Sequence, residues 1–354
     1  MLDFIVVGAA QAGLAMSYYL QELKMDFLVV DKESEIGASW LNRWDSLKLF
    51  TPSEFNNLPG MDFPAEKGYY PTKTEVAQYF KSYANKFEIP IELNTFIEHI
   101  SHEGDHFELS GPNGKFLSRN VVVATGPFHI PYTPPFSKKI DREVFQIHSN
   151  YYKNPDQLQE GATMVVGAGD SGFQILDEVS AEQEREVYFS GTTDVRVLPQ
   201  ELLGKTLWWW FTKTGFLSFS RNSWLGRKLS KSRQPVIGTD VKEILARPNV
   251  EPVGKTKNAE GNMVLTEKKK LSELRNIVWA TGYRPNFEWI EGLELTKDGY
   301  PKHERGVSSI DGLYFIGLPW LHTRGSATLG GIKKDAEYLS NFIQREVDKS
   351  KGNS

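Results

Sequence analysis

Phe4-Ile5-Val6-Val7-Gly8-Ala9-Ala10-Gln11-Ala12-Gly13 and Met164-Val165-Val166-Gly167-Ala168-Gly169-Asp170-Ser171-Gly172 are the two stretches that decide the fold. Each is a short apolar run ending in a glycine-rich turn, and the first opens an apolar-periodic segment, Leu14 to Leu20. Strand, turn, helix is the order a phosphate-binding turn requires. Small residues let the backbone approach a pyrophosphate, whose charge the N-terminal dipole of the following helix stabilises. Ala10 replaces the middle glycine of the first turn and predicts a slightly larger separation from the phosphate. One such turn is a weak signal; two, with first glycines 159 residues apart, predict two dinucleotide sites.

About 20 residues beyond such a turn, an acid at the end of the next strand accepts bonds from ribose hydroxyls. Asp31 follows Phe27-Leu28-Val29-Val30, 23 residues after Gly8, and Ser190 follows Val187-Tyr188-Phe189, also 23 residues after Gly167. The equal spacing predicts two homologous βαβ units, and the different chemistry predicts different ligands. The strands Val121-Val122-Val123 and Ile277-Val278-Trp279 both run into Ala-Thr-Gly, at Ala124 to Gly126 and Ala280 to Gly282. One such ending is an ordinary strand terminus; one per nucleotide unit is a pattern.

At 354 residues the chain predicts more than one domain. A net charge of −4 gives no electrostatic footprint for nucleic acid. Absence of cysteine excludes disulfides, thiolate nucleophiles, iron–sulfur ligation and a Cys-x-x-Cys relay, and with them disulfide-reductase chemistry. Asp3 and the glycine turn interrupt the apolar N-terminus, which therefore does not read as a signal peptide, and no stretch is long and apolar enough to span a membrane. A cytoplasmic protein without a membrane or nucleic-acid partner, and without a metal, is expected.

The loop after Asp31 brings Trp40, Arg43 and Trp44, flat aromatic and cationic groups that suit a heteroaromatic neighbour or simply the core. Residues 50–71, rich in Pro, Gly and aromatics, read as an ordered loop over a pocket. Helical spacing follows over 74–87, and 95–110 with 115–123 read as a small antiparallel layer. The run Trp208-Trp209-Trp210 is expected in the core before a subunit interface, and at an interface before a substrate lid.

The turns, Asp31, Gly37-Ala38-Ser39-Trp40, both Ala-Thr-Gly endings, Ala280 to Pro285 and Tyr314-Phe315-Ile316-Gly317 resemble the flavin-containing monooxygenases, most of all their short bacterial members, over essentially the whole chain. The resemblance implies an α/β fold of two Rossmann-like, three-layer domains, an NAD(P) domain (156–274) inserted into an FAD domain (1–155 and 275–354). It implies FAD on Gly8, Ala10, Gln11, Ala12, Gly13, Asp31, Lys32, Trp40, Arg43, Thr51, Ala124, Thr125, Gly126, Gly317, Thr328 and Leu329. NADH or NADPH would take Gly167, Gly169, Asp170, Ser171, Gly172, Ser190, Thr192, Thr193, Ala280, Thr281, Gly282 and Tyr283. The implied chemistry is reduction of FAD, reaction with dioxygen to a C4a-(hydro)peroxyflavin, and oxygen transfer to a sulfide, an amine or a ketone. An NAD(P)H oxidase or flavin reductase with uncoupled oxygen activation is the alternative, and a nucleotide sensor without turnover a third.

Three departures from the family pattern stand out. The fingerprint Phe-x-Gly-x-x-x-His-x-x-x-Tyr-Lys falls on Arg142, Val144, His148, Tyr152 and Lys153, with only its second half intact. His148 is a candidate catalytic group that, on its residues alone, reads as a hydrogen-bonded structural histidine. Phe50 stands where many members carry an asparagine, so the resemblance implies either that Asn56 or Asn57 supplies the missing amide or that the peroxyflavin is shorter-lived and uncoupling to hydrogen peroxide is greater. Neutral Thr192 and Thr193 occupy positions where NADP-specific members place an arginine, which predicts comparable use of NADH and NADPH, with Arg196 or Lys205 as partial substitutes. A homodimer is one arrangement the Trp208 to Trp210 run allows; the substrate is set by residues 50–70 and 202–229.

Overall fold

Leu2–Val7 buries its last four residues because parallel neighbours and helices cover both of its faces. In the computed structural model, which describes residues 1–216 and 219–352, Phe27–Val30 pairs with it on one side and Gly114–Val123 on the other. Ile91–Glu92 and Leu313–Phe315 extend this parallel core. Four antiparallel strands, His99–Glu103, His106–Gly111, His303–Glu304 and Val307–Ser308, complete a nine-stranded sheet.

Gly114–Val123 joins the two layers. Its first half pairs antiparallel with His106–Gly111, whereas Ser118 onward runs parallel beside Leu2–Val7, and its burial changes from mostly exposed to continuous. Helix Gln11–Glu22 packs on the C-terminal helix Ile332–Gly352. Lys73–Lys86 starts at a capping box, where Thr72 and Glu75 satisfy each other's backbone amides, and buries Val76, Tyr79, Phe80 and Tyr83.

The second sheet is wholly parallel, in the order Val250–Pro252, Val187–Ser190, Ala162–Val166, Leu274–Trp279, Phe145–His148. Phe145–His148 precedes the expected 156–274 span and Leu274–Trp279 runs past its end, so the strands of this sheet lie between 145 and 279. The pairing of Phe145–His148 with Leu274–Trp279 puts both linker strands at one edge, a contact distant in sequence that no local pattern signals. Beyond the sheet, Ile130–Pro131 and Tyr283–Arg284 form a two-stranded antiparallel ribbon where the chain passes between the units. Thr256–Glu260, Met263–Thr266 and Lys270–Leu271 add a small antiparallel layer. The expected specificity stretch 202–229 contains residues 217 and 218, which lie outside the described residues.

Burial also fixes protonation. Desolvation, and then the nearby charge of Arg221, lower the His303 imidazole to about 4, while its Nδ1 accepts the Gly306 amide as a neutral ring must. An unfolded histidine titrates near about 6.5, so the unfolded chain takes up the proton first. Stability present above that pH is therefore lost as pH falls towards about 4. Melting temperature should drop across this window, and His303→Gln should flatten the drop; a profile identical to the parent's would remove His303 as its source.

Candidate active site

The two glycine turns share one geometry. A side-chain carbon at Gly8 would lie 2.7 Å from the Ala124 carbonyl oxygen, and one at Gly167 would lie 2.1 Å from that of Ala280. At Gly13 it would meet the Gly8 carbonyl at 1.8 Å, and at Gly172 the Gly167 carbonyl at 2.0 Å. Gly8 and Gly167 are also left-handed, at φ of +112° and +132°. The Ala-Thr-Gly endings recur because each is the strand end on which a turn rests.

The open side of each cradle is equally definite. A side-chain carbon at Gly169, Gly126 or Gly282 would have no neighbour within 4 Å. Ala10 occupies the position equivalent to Gly169 in the same extended conformation, so its methyl group costs the turn nothing sterically. These open, amide-lined turns at helix N-termini fit two pyrophosphates. At the first, Asp31 Oδ2 accepts the Ala9 amide at 2.5 Å and Oδ1 the Glu33 amide at 2.9 Å, which holds the carboxylate beside the turn where ribose hydroxyls can reach its remaining lone pairs. The Trp40 indole donates to Gln11 Oε1 at 3.3 Å, and Gly317, at φ +81°, brings the returning strand end against Ala12. Lys32 is exposed, Thr125 Oγ1 lies 3.1 Å from His129 Nε2, and Leu329 is buried behind Thr328, whose hydroxyl donates to the Gly325 carbonyl.

Strand register puts the counterpart of Asp31 in the second unit one residue later than spacing suggests. Val7 pairs with Val30, and Val166 with Ser190, so the equivalent of Asp31 is Gly191. The segment between helix and strand is longer in the second unit, Ala181 to Glu186 against Leu23 to Asp26. Ser190 is buried, and its hydroxyl lies 2.6 Å from that of Thr256. Thr192 accepts the Asp194 amide and Thr193 is exposed, so neither threonine brings a charge to this corner. Asp170 Oδ1 is turned onto the Ile237 amide at 3.1 Å; burial raises its pKa while that amide and facing Arg324 oppose the rise. Ser171, also in this turn, is half-buried.

A hydrogen-bonded seam joins the units. Arg43 Nη1 donates to the Tyr283 hydroxyl at 2.6 Å, which donates to Asn150 Oδ1 at 3.0 Å. The Asn150 amide donates to His148 Nδ1 at 3.0 Å, so the ring proton sits on Nε2 and points at the Gly282 carbonyl, also 3.0 Å away. Desolvation lowers the His148 pKa, the Gly282 bond opposes this, and the Arg43 charge adds to the lowering. Thr281 Oγ1 donates to the Tyr132 carbonyl. Lys73 fastens the loop behind Arg43, with bonds to the Leu41 and Arg43 carbonyls and a 2.8 Å ion pair to Asp45, whose pKa that bond lowers. Trp44, expected near the cofactor or in the core, is buried among Tyr152, Leu176 and Val236 of the second unit.

Phe50 forms the other contact between units. Its ring stacks on Trp208 at 6.0 Å and 13°, and its carbonyl accepts the Trp208 indole N–H at 2.9 Å. Trp208 is buried, whereas Trp209 and Trp210 stay half-exposed. Both asparagines have their amides engaged. Asn56, fully buried, donates to the Thr51 and Pro52 carbonyls and accepts the Thr51 hydroxyl at 2.7 Å; Asn57 donates to Asp62 and accepts the Phe63 amide. Asn150, Gly191 and Arg324 carried no signal in the sequence, since no motif position distinguishes them.

A family model described as pyridine nucleotide-disulphide oxidoreductase matches residues 5–200. An uncharacterized CzcO-like oxidoreductase of Geobacillus kaustophilus (strain HTA426) is 44% identical over 343 residues, 97% of this chain and 98% of the relative. The probable indole-3-pyruvate monooxygenase YUCCA1 of Arabidopsis thaliana is 28% identical, covering 92% of this chain and 86% of that protein. A flavin-containing monooxygenase from Stenotrophomonas maltophilia shares the fold with a TM-score of 0.78 at 24% identity, covering 98% and 99% of the two chains. The family's name refers to disulphides, yet this chain has no cysteine with which to relay electrons to one. With more than half of its length matched by the model and a relative aligned nearly end to end, the chain belongs to the pyridine nucleotide-disulphide oxidoreductase family and is an oxidoreductase that works with FAD and a pyridine nucleotide on the flavin monooxygenase fold.

Proposed function

We propose that this chain is a monooxygenase that takes electrons from NADH or NADPH and transfers one oxygen atom to a sulfide, an amine or a ketone. The observation that carries this reading is the pair of matched open cradles, held together by one seam, in a chain without any thiol. Bound FAD would supply hydride acceptance and activation of dioxygen; the chain supplies binding, orientation and exclusion of water. Gly8 to Gly13 and Asp31 would hold the FAD, Gly167 to Gly172 the nicotinamide dinucleotide. Arg43, Tyr283, Asn150 and neutral His148 keep the two at a constant offset, which hydride transfer requires. The Phe50–Trp208 stack continues through Phe211 and Phe216, an aromatic wall that keeps water from the reaction. Similarity to the indole-3-pyruvate monooxygenases and the flavin monooxygenase fold support the same reaction class.

One observation favours uncoupled NAD(P)H oxidation as the second reading. Asn56 and Asn57 have their amides bonded within their own loop, and Phe50 offers only a ring. Product formed, hydrogen peroxide released and NADH consumed, measured together with methyl phenyl sulfide and cyclohexanone, separate the two. Oxygenated product in proportion to NADH supports the monooxygenase; peroxide equal to NADH with every substrate overturns it. Phe50→Asn should raise the product-to-peroxide ratio, and an unchanged ratio would remove Phe50 from the argument.

Cofactor placement has its own test. Gly13→Val should yield colourless protein, whereas Gly172→Val should stay yellow and lose reduction by NADH. Loss of flavin from Gly172→Val would reverse the assignment. With Gly191 at the acid position and neutral Thr192 beside it, NADH and NADPH should serve with comparable kcat/KM. Thr192→Arg adds a charged fork to a 2′-phosphate, worth about 1.5–3 kcal/mol, or roughly ten- to hundredfold in kcat/KM for NADPH. A parent that already prefers NADPH several hundredfold would show that another cation grips the phosphate.

A further inference from the structure

From Leu202 to Thr239 the chain has seven Lys or Arg and no Asp or Glu, while its net charge is −4, so the remaining residues carry −11. None of the seven, Lys205, Lys213, Arg221, Arg227, Lys228, Lys231 and Arg233, forms an ion pair among the described residues. The same stretch holds four of the nine tryptophans. Charge and aromatics are therefore concentrated together.

The geometry sorts them. Glu201–Leu202 and Lys205–Thr206 form a hairpin whose tip exposes Leu202 by 48% and Leu203 by 82%, the latter in left-handed backbone at φ +53°. Lys205 and Lys213 sit over the Trp209 ring at 5.9 and 5.8 Å, and the Trp210 indole donates to the Leu202 carbonyl, so hairpin and helix Leu207–Lys213 make one unit. Trp224, 72% exposed, carries Lys228 over its ring at 5.7 Å. Only Trp208 of the tryptophan run turns inward, where Phe50 anchors it.

We propose that this hairpin–helix face docks the protein onto an anionic lipid bilayer. Aliphatic tips, indoles at the apolar–polar boundary and unneutralised cations are the three groups a lipid surface rewards, in hydrocarbon, interface and headgroup layers respectively. A polynucleotide would meet the cations but offer nothing to Leu202 and Leu203. A second copy on this face would set Lys205 and Lys213 against the same two cations across a two-fold axis. The −11 elsewhere turns this face towards an anionic surface and the rest away from it. No helix among the described residues is long and apolar enough to cross a membrane, so the contact lies on the surface. It departs from the expectation of no membrane partner, and it stands apart from the reaction proposed above.

Flotation of the FAD-loaded full chain with vesicles tests it. Vesicles of phosphatidylcholine with roughly a third phosphatidylglycerol should bind at least tenfold tighter than phosphatidylcholine alone, with a blue shift of indole fluorescence, and should lose most of that advantage at about 0.5 M salt. Lys213→Glu with Lys228→Glu should lower the affinity at least tenfold. Leu203→Asn, which suits the left-handed backbone, should weaken binding with flavin content and melting temperature unchanged. Equal binding, or none, to both vesicle types would overturn the proposal. So would a dimer that Leu203→Asn dissociates, or tighter binding to a single-stranded oligonucleotide that Leu203→Asn leaves intact.

Discussion

The structure depends on one steric constraint, applied twice: the backbone of a glycine turn pressed against the end of the neighbouring parallel strand. With Gly8 and Gly167 in left-handed conformation and less than a side-chain carbon's clearance from Ala124 and Ala280, strand, turn and helix can meet in only one way. That meeting leaves the helix N-terminus uncovered, with its amides directed outward and open space at Gly169, Gly126 and Gly282. A ligand pyrophosphate completes what the fold leaves incomplete. The cradle is thus a consequence of close packing rather than an addition to it.

Two such cradles are useful together only if their offset is constant. The ribbon of Ile130–Pro131 and Tyr283–Arg284 is too short to enforce this by itself. The seam does so with directional bonds. His148 has both ring nitrogens committed, one donating to Gly282 and one accepting from Asn150, which demands a neutral imidazole. Burial supplies that demand by disfavouring the charged form. These two bonds suit His148 to the positioning role proposed for it. On the opposite side, Phe50 and Trp208 combine a ring stack with a hydrogen bond, so the aromatic residue that interrupts the family pattern also holds the second unit in place.

What the sequence by itself determined is whatever rests on contacts between near neighbours. Turn glycines, the apolar runs before them, Asp31, the helix at Lys73–Lys86 and the absence of thiols were all legible, because steric demand, burial on both faces and 3.6-residue periodicity act within about twenty residues. Tertiary structure alone decided the quantities that sum over intervening segments or depend on remote partners. A longer connection before Val187–Ser190 moved the counterpart of Asp31 from Ser190 to Gly191, since strand register follows pairing with Ala162–Val166 and not counted distance. Phe145–His148 joined the second sheet because Leu274–Trp279, more than a hundred residues later, offered it an edge. Asn56 and Asn57 had the composition of a catalytic amide, yet their donors and acceptors closed on the loop that carries them, as buried polar groups must when no other partner is near.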